Sequence, residues 1–170
     1  MNQDFLIDRL AAGAPAVSAL VAGLPAVEAS RRTDPARWSV LEILCHLRDE
    51  EREDFRVRIE YTLHRPGDSW PGIDPQGWVS ARNYAAADPA TALAEFLSAR
   101  EDSLRWLRGL AEPCWQAAYE HPSLGRLTAG DLLASWTAHD LLHLRQLAGA
   151  IFGLTAAGAA PHGTDYAGQW

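Results

Sequence analysis

Residues 127–152 read LTAGDLLASWTAHDLLHLRQLAGAIF, and their spacing predicts one long amphipathic helix. Thr128 stands as N-cap with Asp131 three residues on, a capping box, and Leu127 and Leu132 are placed to staple across it. Apolar residues then recur at three- and four-residue intervals to about Phe152. Two histidines stand within that pattern. His139 and His143 are four apart, so on a helix they share a stripe with Trp136 and Gln146 that runs from Leu132 to Ala150. That stripe faces the core. Two imidazoles buried there without partners are costly, because each ring carries a donor and an acceptor to satisfy. A divalent metal taking one nitrogen from each removes that cost.

Working outward, WSVLEILCHL (residues 38–47) opens a second helix by the same rules. Ser39 and Glu42 form its capping box, Trp38 and Ile43 its staple, and the apolar period continues to about Thr62. His46 lies on the stripe Ile43, His46, Glu50, Glu53 and Val57, apolar at its ends and polar in the middle, and is the natural third ligand. Three neutral ring nitrogens with open positions left over form the pattern of a catalytic rather than a structural metal site. Glu50, one turn after His46, is the candidate general base or ligand-orienting group. The rest of RDEEREDFR (residues 48–56) reads as a solvated face laced with ion pairs. Gln146 is placed either to hydrogen-bond near the metal or to cap core packing. Asp140 points about 100° from His139 on an ideal helix, toward the surface or behind the ligands. The pair departs from HExxH: Asp140 replaces the glutamate, and downstream only His162 and Asp165 could supply a third ligand.

Two further helices complete the pattern. Asp88 caps one, with Pro89 at its first position and Leu93, Leu97, Leu104 and Leu107 along one stripe, and it should end near Leu110. The first helix carries Leu6, Leu10, Val17, Val21 and Leu24, with Pro15 expected to kink or split it. No stretch alternates convincingly as a strand. The expectation is an all-α four-helix bundle, one domain over residues 1–170, with a long loop between the second and third helices. That loop, residues 64–87, is rich in proline and glycine, yet Trp70, Trp78 and Tyr84 argue for packing over disorder. It is expected either to wall the mouth of the site, with Arg65 and Arg82 placed to meet an anionic substrate, or to plug the bundle end or a dimer seam with its tryptophans. The tail after Phe152 ends in DYAGQW, an aromatic ending expected to dock.

Composition narrows the function classes. The chain has 170 residues, a formal charge of −7 and no lysine, and acids interrupt even the arginine-rich stretch from Arg48 to Arg58. Without a basic patch, nucleic-acid binding is disfavoured. No apolar run is long enough to span a bilayer, and the start MNQDFLIDRL lacks the order of a signal peptide. Cys45 and Cys114 make no disulfide framework, which fits a reducing cytoplasm.

WSVLEILCHL early in the chain and HDLLHLRQL (residues 139–147) near its end resemble the DinB-like superfamily of metal-dependent proteins, and the closing YAGQW is similar as well. The resemblance covers nearly the whole chain. It implies an up-down-down-up bundle, a metal held by His46, His139 and His143, and homodimers formed through bundle faces. Branches of that family are thiol-dependent transferases and isomerases using low-molecular-weight thiols. The expected activity is therefore that of a metal-dependent hydrolase or a thiol transferase acting on a small molecule, with zinc or nickel as the divalent ion. A bundle that binds metal or a small ligand without catalysis is the alternative.

Overall fold

The computed structural model describes residues 2–168. Four long helical segments build it: α1 (Gln3–Val21), α3 (Val40–Glu53) followed directly by α4 (Phe55–His64), α6 (Pro89–Gly109) and α7 (Ala129–Gly158). The short α2 (Ala26–Ala29) and α5 (Pro75–Ala81) lie in the connections. Both capping boxes form: Ser39 and Glu42 exchange bonds at the start of α3, Thr128 and Asp131 at the start of α7. Asp88 caps α6 with Pro89 in the first turn, as its sequence reads.

Several elements differ from the expectation. The second bundle helix breaks at Asp54, whose φ and ψ of −113° and −101° leave the helical region. The break leaves Ile59 buried, and the apolar period carries no mark of it. Pro15 does not split α1. α7 runs six residues beyond Phe152, because the small residues after it present no stop signal. A hairpin forms where no strand was expected, β1 (Ala118–His121) with β2 (Gly125–Thr128), pairing Tyr119 with Leu127. Four-residue strands are too short to show a period, and this pair is held by the Trp70 ring stacked on Tyr119 at 4.1 Å between centroids. In the tail Tyr166 is fully exposed, so docking fails there, and Trp170 lies outside the described residues.

The apolar core falls into two clusters. One holds Ile7 and Leu10 of α1, Ile59 of α4, Leu107 of α6, and Leu132, Leu133 and Trp136 of α7. The other holds Val17 and Val21 of α1, Ile43 and Leu47 of α3, Phe96 of α6, and Leu147 and Leu154 of α7. Between these groups lie Asp49, Glu50, Glu51 and Asp54 after α3's core residues, Arg100 and Ser103 on α6, and Thr137, Asp140 and His143 on α7, all buried polar side chains. Arg100 of α6, 2% exposed, donates to both oxygens of Glu51 on α3 (2.9 and 2.8 Å) and both of Asp140 on α7 (2.6 and 2.9 Å). It also donates to the Leu10 carbonyl on α1 at 2.9 Å, so all five guanidinium protons are used and all four segments are tied. Trp136 Nε1 adds a bond to Glu51. A methyl group on Gly13 would stand 1.9 Å from Asp140 Oδ2, so only glycine lets α1 come this close.

This layer corrects two sequence readings. Of the two places open to Asp140, the surface is excluded because it is buried, and Asp49, Glu51 and Asp54 of the acidic run are buried rather than solvated. Arg82 reaches Asp49 and Arg100 reaches Glu51 from distant segments, which spacing along one helix does not reveal, whereas Asp54 is paired locally with Arg58.

Candidate metal centre

Each histidine is placed by a helix whose start is secured by its capping box. His46 sits seven residues after the Ser39 cap, and His139 and His143 eleven and fifteen after Thr128. Their ligand atoms all lie within 4.8 Å of one another. His143 Nε2 is 3.1 Å from His46 Nε2 and 3.0 Å from His139 Nε2. His46 and His143 are buried and His139 partly so.

Burial pushes the His46 and His139 imidazoles down to about 3, with neighbouring histidines adding to the effect, and it lowers His143 as well. All three rings are therefore neutral near pH 7. Glu50 joins them, with Oε1 3.5 Å from His46 Nε2 and Oε2 3.1 Å from His139 Nε2. Burial, and then the charge of Asp54, pushes its carboxyl up to about 8. Gln146 Oε1 lies 2.8 Å from His143 Nδ1, so that nitrogen donates and Nε2 keeps its lone pair. His46 Nδ1 has no partner, and the ring packs beside Trp38 at 4.8 Å. The polar contacts of His46 are thus all made through Nε2.

The residues fit a divalent cation on two grounds. A lone pair on His143 Nε2 faces two ring nitrogens at once, and proton placement satisfies such a trio only in part. A cation accepting one lone pair from each satisfies all three. The two spacings of 3.0 and 3.1 Å also match ligands about 2.1 Å from a common ion, which stand about 3.0–3.4 Å apart at 90–109°.

The four side chains line a cavity of about 980 Å³. Its other wall is residues 31–38, and that segment reaches α7 because Gly153 has no side chain: a methyl there would meet Thr33 Oγ1 at 2.4 Å. From the long loop only Pro75 and Gln76 line the cavity. The expected loop residues are engaged elsewhere. Trp78 and Tyr84 are buried, with the Tyr84 hydroxyl donating to Asp49, and Trp70 stacks on the hairpin. Arg82 is paired with Glu53 and Asp49, and Arg65 lies 3.8 Å from Glu60. Sequence reasoning missed Arg31, Arg37 and Arg145, which line the cavity instead, because no spacing along the chain brings residues 31–38 beside α7. Among the described residues no helix is long and apolar enough to cross a membrane.

A model of the DinB superfamily matches residues 9–147, a span holding all three histidines. No curated protein matches the sequence. Among solved structures the chain is similar to YfiT from Bacillus subtilis, at a TM-score of 0.79 and 18% identity, covering 90% of this chain and 87% of that one. YfiT is described as "a probable metal-dependent hydrolase with an unusual four-helix bundle topology". At that identity the likeness shows the shared four-helix-bundle fold.

Proposed function

The chain belongs to the DinB superfamily, and from that premise we propose that it is a metal-dependent hydrolase acting on a small molecule. His46, His139 and His143 hold one divalent cation, for which zinc or nickel suits three imidazole donors. The observation that carries the reading is the convergence of three neutral ring nitrogens within 4.8 Å, lining a cavity large enough for a small organic molecule. The description of YfiT as "a probable metal-dependent hydrolase" agrees with it. The cation supplies Lewis acidity, polarising a substrate oxygen and making a nucleophile available near neutral pH. Gln146 holds the His143 ring in the tautomer that leaves Nε2 free. Glu50 touches two of the rings and lines the cavity, the position a general base needs. Trp38 covers His46 and limits water at that ring.

We read the chain as one domain with an up-down-down-up helix order. The core clusters support this: α1 and α7 enter the Ile7 cluster first, whereas α3 and α6 enter the Val17 cluster first. A long loop between the second and third helices is what two parallel neighbours require.

The test is metal analysis of the purified protein, then chelator treatment and back-titration with zinc or nickel, followed by assays on esters, amides and low-molecular-weight thiols. One equivalent of bound metal and chelator-sensitive turnover of an ester or amide are expected. Bound metal with turnover only in the presence of a thiol would move the activity to S-transfer. Metal without turnover would leave a binding bundle, and no metal at all would end the reading.

A further inference from the structure

The cavity holds an arginine that is unpaired among the described residues, in a chain of net negative charge. The protein has a formal charge of −7, yet the lining holds three guanidiniums, Arg31, Arg37 and Arg145, against the carboxyl groups of Asp34 and Glu50. Arg31 pairs with Glu28 at 2.6 Å and Arg37 with Asp34 at 3.4 Å, while Arg145 has no hydrogen bond or ion pair among the described residues. At 100° per residue, Arg145 shares one flank of α7 with Leu142 and Phe152, beside the stripe that carries His139 and His143. The flank is therefore apolar around one free cation. Trp38 adds aromatic surface on the facing wall.

We propose that the substrate is a small amphiphile with an oxyanion, carboxylate or phosphate, held by the guanidinium of Arg145 and an apolar body lying along Trp38 and Leu142. An arginine presents its donors as a planar fork that matches either oxyanion, and one without a carboxylate partner at the edge of a concave site is available to an anion from solution. The apolar part then spans from the exposed Arg145 toward the buried His46 and Glu50, which places the scissile bond at the other end of the molecule from the acid. The inference rests on the hydrolase reading for what happens at that end, but not for the binding of the acid.

The test is calorimetric titration of the zinc-loaded protein with 4-phenylbutyrate and phenyl phosphate, and with the neutral amide 4-phenylbutyramide. The same titrations are run on Arg145→Gln and on chelator-treated protein. At least one acid should bind about tenfold or more tighter than the amide, and Arg145→Gln should reduce that preference to within about twofold at unchanged zinc content. The arm that shows the larger preference identifies the oxyanion. Equal binding of acid and amide, or no measurable binding of either acid, overturns the proposal. So does acid binding that survives Arg145→Gln and vanishes with the metal, since the cation alone then holds the acid. Failure of the hydrolase reading is seen separately, as wild-type protein that takes up no zinc.

Discussion

Nδ1 of His143 lies 2.8 Å from Oε1 of Gln146, one turn further along α7. An amide oxygen only accepts, so the ring proton sits on Nδ1 and the free lone pair of Nε2 faces the nitrogens of His46 and His139. Gln146→Leu should weaken zinc binding by about 10–100-fold while leaving the helical signal intact, and Gln146→Glu should restore it. Competition with a chromophoric chelator reads both. An unchanged affinity in Gln146→Leu would mean that packing alone orients the ring.

His143→Ala should lose bound metal and stay folded. The two apolar clusters stand on either side of the site and supply most of the burial. Circular dichroism beside metal analysis checks both halves of this expectation; a collapse of the helical signal would mark the metal as structural.

Arg100→Met should cost about 3–5 kcal/mol, because it leaves Glu51 and Asp140 buried without their counter-ion. Neutralising all three in Arg100→Met with Glu51→Gln and Asp140→Asn should recover much of that loss. Urea unfolding of the single and triple variants measures the difference, and equal stability of the two would contradict the charge argument.

Glu42 couples the start of α3 to acid pH. Burial alone would raise its carboxyl, but the Arg32 guanidinium and the bonds to Ser39 outweigh burial and hold it below the usual carboxylate range. A folded value below the unfolded one means that this stability is present near neutral pH and is lost as pH falls through the folded value. Glu42→Gln should therefore be less stable by about 0.5–2 kcal/mol at pH 7 and should lose less on acidification to about pH 3 than the wild type. Thermal unfolding across that range decides it; parallel curves for the two proteins would remove Glu42 from the account.

Capping boxes and a 3.6-residue period are local properties, which is why Ser39, Thr128 and Asp88 located three helix starts correctly before any fold was known. The same locality made the histidines legible. Helical geometry alone puts His139 and His143 on one stripe, and matching polar positions on two capped helices single out His46. The break at Asp54 and the four-residue hairpin strands escaped, because each is shorter than the window over which a period is counted.

What the sequence alone determined is the set of helices and the faces that carry the histidines, since both follow from interactions within a few residues of chain. What only the tertiary structure decided is the partner of each charge and the walls of the cavity. Glu51 read as a surface acid, and Asp140 as either superficial or set behind the ligands, until Arg100, from a helix 40 residues or more away in sequence, is packed between them. Arg82 read as a substrate ligand until Glu53 and Asp49 claimed it, and Arg145 read as nothing until residues 31–38 closed over its flank of α7. Charge pairing and concavity depend on distances through space, and those are set when the helices pack.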